Sequence, residues 1–166
     1  MAPSSRFLAK KMLQHIDFNE ARVLIELGPG TGVFTDRILE KMHPDAKLLV
    51  FELNDNFCNE LKKRITDPRA VIIHDSAEKI EQYLEKHALG KADVVISSLP
   101  LANFPTALRQ SILDASHRSL KNVGKYVQFQ YSLQSKKHIK NTFDEVNIDF
   151  TPLNFPPAFV YTCKKK

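Results

Sequence analysis

Glu26-Leu27-Gly28-Pro29-Gly30-Thr31-Gly32 places three of the five glycines of this 166-residue chain at alternating positions within five residues. The segment lies where an apolar run that reads as a strand, Val23 to Leu27, gives way to a helical pattern. Lacking a Cβ, such a turn bends sharply and lets a ligand lie against the main chain. The spacing is G-x-G-x-G; the dinucleotide fingerprint G-x-G-x-x-G needs its last glycine where Val33 stands, which argues against a nicotinamide cofactor. Glu52, twenty residues after Gly32 and at the expected end of the second strand, is placed to accept from the ribose hydroxyls of an adenosine ligand, with a solvated strand-end acid as the alternative. Asp75-Ser76 follows the third expected strand on the same carboxyl edge, where open α/β sheets bind ligands. Capping of the next helix is the other reading of that pair.

The elements that position these residues alternate along the chain. Phe7, Leu8, Met12, Leu13 and Ile16 have helical spacing behind Ser4 as a cap, and Val33, Phe34, Ile38, Leu39 and Met42 repeat the pattern up to His43-Pro44. Strands are expected at Lys47 to Glu52, Ala70 to His74, Asp93 to Ser98 and Lys125 to Tyr131. Helices between them carry Phe57, Leu61 and Ile65, then Ile80, Tyr83 and Leu84, then Leu108, Ile112, Leu113 and Leu120 behind Pro105, and finally Ile139 and Phe143. The first of these must stop by Asp67-Pro68. Such alternation predicts right-handed crossovers and a mostly parallel sheet with helices on both faces. Two last strands, Val146 to Thr151 and Ala158 to Cys163, are joined by a short stretch with Pro152, Pro156 and Pro157 and must pair as an antiparallel hairpin. The expectation is an α/β, Rossmann-like sheet of seven strands in a single domain spanning 1–166.

Composition sets the remaining bounds. Apolar residues make up 43% and charged residues 26%, the balance of a soluble globular chain, and no stretch approaches the length of a membrane span. With no secretory pattern at the front, the expected location is cytoplasmic. Cys58 and Cys163 have no CxxC partner and read as reduced, structural thiols; the six histidines form no metal-binding pair, so no metal is expected. The net charge of +5 favours an anionic partner, nucleic acid or an acidic membrane surface, with lysines clustered at 136, 137 and 140 and at 164 to 166. Solvated helix faces and a frayed tail would account for the same lysines.

Taken together, Ala2-Pro3-Ser4-Ser5-Arg6, Glu26 to Gly32, Ser97 to Phe104 and Asn154-Phe155-Pro156-Pro157-Ala158-Phe159-Val160-Tyr161 resemble the bacterial phospholipid N-methyltransferase family over nearly the whole chain. The likeness to rRNA adenine dimethyltransferases is more distant. The resemblance implies a class I methyltransferase that uses S-adenosylmethionine (SAM), with Glu26, Gly28, Gly30, Gly32, Glu52, Asp75, Ser76 and Ala77 at the cofactor. In that family setting Asp75 would accept from the adenine amine with the Ala77 N–H nearby. Glu26 would orient the methionine ammonium or instead bond only the turn's N–H groups.

Amino methyltransferases acting on bases carry Asn or Asp, then Pro-Pro-Tyr or Leu-Pro-Tyr, after the fourth strand; there a polar group and a backbone carbonyl hold the amine while the aromatic stacks. Here Leu99-Pro100 remains, but Ser98 replaces the amide and Leu101 the aromatic. The implied acceptor is therefore the amine of a phosphatidylethanolamine-type phospholipid, with Ser98, Phe104 and Tyr131 as catalytic residues, Phe104 and Tyr131 as aromatic faces, and no protein partner. Core packing is the alternative for both aromatics. Family members carry an amphipathic segment before the Ala-Pro-Ser-Ser stretch, whereas Met1 stands directly against it here; the expectation is a shortened chain, peripheral at most to the inner membrane face. Methylation of an RNA base, disfavoured by the lack of a further C-terminal helical domain, and non-catalytic SAM binding are the rival readings.

Overall fold

Val23–Leu27 (β1) is buried at every position, as a strand covered on both faces must be, and it forms the third strand of a seven-stranded sheet. The computed structural model describes residues 6–154 and 156–166, so the Ser4 cap, the Ala2 to Ser5 stretch and Phe155 lie outside the described residues. β1 pairs in parallel with Lys47–Phe51 (β2) and Ala92–Ser97 (β4); β2 pairs with Ala70–Ile73 (β3), and β4 with Leu120–Gln130 (β5). Ala158–Lys164 (β7) runs antiparallel between β5 and Glu145–Thr151 (β6), giving the order β3-β2-β1-β4-β5-β7-β6. The expected hairpin is present, and its reversed strand is second from the edge rather than outermost. Because β6 points the same way as β5, six of the seven carboxyl ends share one edge.

Strand alternation divides the core between the two faces. Leu24, Leu48, Val50, Val94 and Ile96 meet Leu8 and Met12 of Arg6–Leu13 (α1) and Phe34 and Ile38 of Val33–Lys41 (α2). Ile25, Leu27, Leu49 and Val95 meet Ile80 and Leu84 of Ile80–Lys86 (α4), Ile112 and Leu113 of Thr106–Ser119 (α5), and Ile139 of Lys136–Thr142 (α6). Asp55–Arg64 (α3) packs beside α2, with Asn54 capping it by accepting from the Phe57 N–H at 3.0 Å.

β5 begins five residues earlier than the sequence suggests. Leu120, expected on the preceding helix, opens the strand instead, and the ladder with β4 jumps from Ala92–Leu120 to Val94–Lys125, so the extra residues bulge out of one continuous strand. Val123 takes φ 62° in that bulge.

Candidate functional site

The strand order reverses between β1 and β4, and at this switch point the carboxyl ends leave a crevice. Gly28, Gly30 and Gly32 have φ of 68°, 58° and 90°, a left-handed run that side chains resist. A Cβ on Gly28 would meet Leu99 Cδ2 at 2.8 Å, and one on Gly32 would collide with the Arg64 guanidinium and Leu61. The turn is tied on both sides: Gly28 N–H donates to the Phe51 carbonyl at 3.0 Å, and Ser98 N–H to the Leu27 carbonyl at 2.9 Å. Arg64 holds it from α3, donating to the Thr31 carbonyl at 2.8 Å and to both Asp36 oxygens.

Glu52 stands just past β2. One carboxylate oxygen accepts from the Gly30 N–H at 3.0 Å and the other from the Asn54 N–H at 2.9 Å. Each oxygen keeps a lone pair free of these bonds, and Glu52 lines a cavity of about 320 Å³. Gly28, Glu52, Asp75, Ser76 and Ala77 line that cavity together, beside the apolar walls of Phe51 and Ile112. Asp75 is already engaged, accepting from the Tyr83 hydroxyl and the Ser76 N–H, both at 2.7 Å; these bonds, Tyr83's first, hold its carboxyl below the ordinary range. Ser76 accepts from the Glu78 N–H at 3.1 Å, so the helix-capping reading of this pair describes a bond that forms.

Glu26 does not reach this cavity. It is wholly buried on the α1–α2 face, where one oxygen accepts from the Thr35 hydroxyl and the other has no partner among the described residues. Burial, opposed by the Thr35 bond and reinforced by the charges of Asp36 and Glu52, pushes its pKa up to about 8. The alternative in which Glu26 bonds the turn's N–H groups is not what forms.

A second cavity of about 330 Å³ lies on the other side of Leu99-Pro100, and both cavities share that dipeptide as a wall. Ser98, Gln130 and Tyr131 line it. The Ser98 hydroxyl is buried and without a partner among the described residues. Tyr131, just past β5, is 45% exposed and stands edge-on to Phe129 with centroids 5.6 Å apart. Phe104 belongs to the first cavity, beside Leu108 and Ile112, and packs on the core. The two aromatics paired in the sequence reading therefore fall on opposite sides of the Leu99-Pro100 wall.

Sequence reasoning passed over Gln128 and Gln130. Both donate through Nε2 to the Leu99 carbonyl, at 2.8 and 3.0 Å. Gln128 Oε1 accepts from the buried Tyr126 hydroxyl at 2.6 Å, which fixes the amide's orientation. Two glutamines at alternate positions of an otherwise apolar strand end, Gln128-Phe129-Gln130, were the available signal.

Residues 4–132 match the family model described as ribosomal RNA adenine dimethylase. An ornithine lipid N-methyltransferase of Singulisphaera acidiphila is 31% identical over 166 residues, covering 99% of this chain and 86% of the relative. A ribosomal RNA small subunit methyltransferase A of Leptothrix cholodnii is 31% identical over 90 residues, 54% of this chain and 31% of its own length. Among solved structures, the N-methyltransferase NodS of Bradyrhizobium japonicum, in complex with S-adenosyl-L-homocysteine, superposes with a TM-score of 0.75 at 10% identity, over 96% of this chain and 84% of that one. An rRNA methylase of Streptococcus thermophilus gives 0.66 at 15% identity, over 96% of this chain and 93% of that one. At these identities the structures share the fold.

Proposed function

Because the chain belongs to the ribosomal RNA adenine dimethylase family of SAM-dependent methyltransferases, we propose that its acceptor is the amine of a lipid headgroup of the phosphatidylethanolamine type. The enzyme is a SAM-dependent N-methyltransferase. When bound, SAM supplies a methyl group on a positively charged sulfur, open to in-line attack by an amine lone pair.

The first cavity fits the adenosine end of SAM. Gly28 opens the main chain to it, Glu52 offers carboxylate lone pairs for the ribose hydroxyls, and Asp75, held from behind by Tyr83, lines the same cavity. Leu99-Pro100 divides this site from the second cavity and so defines the line along which an acceptor approaches. Holding two reactants in such a line supplies roughly 7–11 kcal/mol of a transfer barrier without an acid or a metal.

One observation carries the choice of acceptor. In base methyltransferases the backbone carbonyl after the polar residue receives the target amine; here that carbonyl, Leu99's, already accepts from Gln128 and Gln130. A carbonyl oxygen has two lone pairs, so none is left for an adenine amine. Leu101, where a base would stack, is fully buried. What remains in the second cavity suits an alkylammonium: the Tyr131 ring is an aromatic face, and the other lining residues, Ser98, Asn103, Ser132 and Gln134 among them, are polar or apolar but not charged. The ornithine lipid relative acts on a lipid and covers nearly the whole chain, which supports the same class.

The test supplies labelled SAM with phosphatidylethanolamine, with ornithine lipid and with unmodified ribosomal RNA, the lipids dispersed in neutral detergent. Label in either lipid is the expected result, and which one takes it refines the headgroup. Label in RNA with none in either lipid overturns the proposal in favour of base methylation.

A further inference from the structure

The exposed apolar side chains of this protein are unevenly placed. Nine large ones stand in solvent among the described residues, and seven of them lie at the carboxyl edge of the sheet: Val33 and Phe57 in the first turns of α2 and α3, Phe150 near the end of β6, and Leu53, Tyr131, Leu133 and Leu153 in the segments after strands. Four of the seven end or follow β5 and β6 at that edge, Tyr131 against Phe129 on one face of the sheet and Phe150 against Phe159 on the other. Tyr131 and Leu133, 45% and 43% exposed, lie between β5 and α6; Phe150, 51% exposed, is the penultimate residue of β6; Leu153, 68% exposed, is in the hairpin that follows. The ladder fixes their level: Gln130 of β5 pairs with Phe159 of β7, which pairs with Phe150 of β6. Tyr131 and the 152–157 hairpin thus emerge from the same rim. An exposed apolar group of this kind marks a surface that another phase or molecule covers.

We propose that this rim, Tyr131, Leu133, Phe150 and Leu153 flanked by Lys136 and Lys137, is the surface by which the protein docks onto an anionic lipid bilayer, opening the acceptor cavity into the headgroup layer. The inference rests on the lipid-amine reading of that cavity.

Two observations select a bilayer as the occupant. The first is charge: segments 131–137 and 150–157 contain no acidic residue, and Lys136, Lys137 and Lys140, at the start and along one side of α6, make no ion pair with a described residue. Lysines beside apolar side chains fit an acidic surface, where each near the headgroups adds attraction while the apolar groups enter the boundary with the acyl chains. A second copy meeting the rim about a two-fold axis would bring these lysines towards each other. The second observation is continuity: Tyr131 is both a rim residue and a wall of the acceptor cavity. A headgroup amine cannot leave the membrane by more than the length of its lipid's polar part, so a cavity that methylates it must open where the protein touches the bilayer.

The experiment measures sedimentation of the protein with phosphatidylcholine vesicles, with and without phosphatidylglycerol. It compares wild type, Leu133→Glu/Leu153→Glu and, as a control at the opposite end of the sheet, Val123→Glu, with thermal unfolding reporting that each is folded. Wild type and Val123→Glu are expected to sediment with the phosphatidylglycerol vesicles, and the rim variant to bind them at least about tenfold more weakly, given the area of two buried leucines. All three are expected to methylate a monomeric short-chain phosphatidylethanolamine equally, while only the rim variant fails on the same headgroup in vesicles. Rim-dependent sedimentation with no methylation of lipid would uphold the docking surface and remove the lipid-amine reading. Methylated lipid with vesicle affinity indifferent to the rim would do the reverse. The docking proposal also falls if wild type ignores the vesicles, or if the rim substitutions instead dissociate a dimer seen in sedimentation velocity.

Discussion

Glu26 shows how one residue's role depends on what its neighbours leave undone. The sequence puts an acid before the glycine turn, and the fold withdraws it from water with a single hydroxyl partner. With a pKa raised from 4.5 to about 8, it is a neutral carboxylic acid at pH 7 in the free protein. The sign of the linkage follows. Between pH 4.5 and about 8 the folded state keeps a proton that the unfolded state has lost, so stability falls as pH rises through that window, by at most about 1.4 kcal/mol per pH unit, and levels off above it. Glu26→Gln keeps an oxygen for Thr35 and has no charge to bury. The variant is expected to match wild type in urea unfolding at pH 5 and to exceed it by a few kcal/mol at pH 8. Parallel stability curves across that range would mean that the Glu26 carboxyl ionises freely in the folded state.

At the scale of elements, the glycine turn is held in shape from three directions: β2 through Phe51, β4 through Ser98, and α3 through Arg64. The strands and helices, the parallel order and the terminal hairpin were legible in the sequence because a buried parallel strand is a short apolar run and each helix carries its own stripe. The turn's glycines and the acid at the end of β2 were legible for a similar reason, since backbone conformation and strand length are local properties. Arg64, Gln128 and Gln130 were not. Each acts on a loop far away in sequence, at separations of 29 to 33 residues, and nothing local marks a surface arginine or a strand glutamine as a loop clamp. Gly32→Ala tests the crowding that Arg64 and Leu61 create. The added methyl has no room and φ stays at 90°, so the substitution is expected to cost about 1–3 kcal/mol in chemical denaturation. Gly90, also at positive φ but with nothing within 4 Å of the place its methyl would take, is the comparison, and Gly90→Ala is expected to cost less. Equal losses at the two positions would show that only backbone strain matters and that α3 does not press on the turn.

For the whole molecule, the excess of five positive charges becomes informative once it has a direction. Composition alone could not separate nucleic acid from membrane, since both are anionic. The docking proposal favours the membrane because lysines of α6 that make no ion pair with a described residue follow the apolar side chains at the end of β5, an arrangement that alternation and charge counting along the chain do not reveal because α6, the end of β6 and the end of β5 meet only in three dimensions. If that electrostatic attraction brings enzyme and lipid together, it must weaken as the Debye length shrinks from about 10 Å at 0.1 M salt to about 3 Å at 1 M. Methyl transfer to phosphatidylethanolamine in phosphatidylglycerol vesicles is then expected to slow severalfold over that range, and transfer to the same headgroup in neutral detergent micelles to change little. The contrast between the two dispersions is what locates the effect. Salt acting inside the cavity proposed for SAM, on Glu52 or Asp75, would slow both alike, whereas salt acting at the rim can slow only the reaction that has a charged surface to approach.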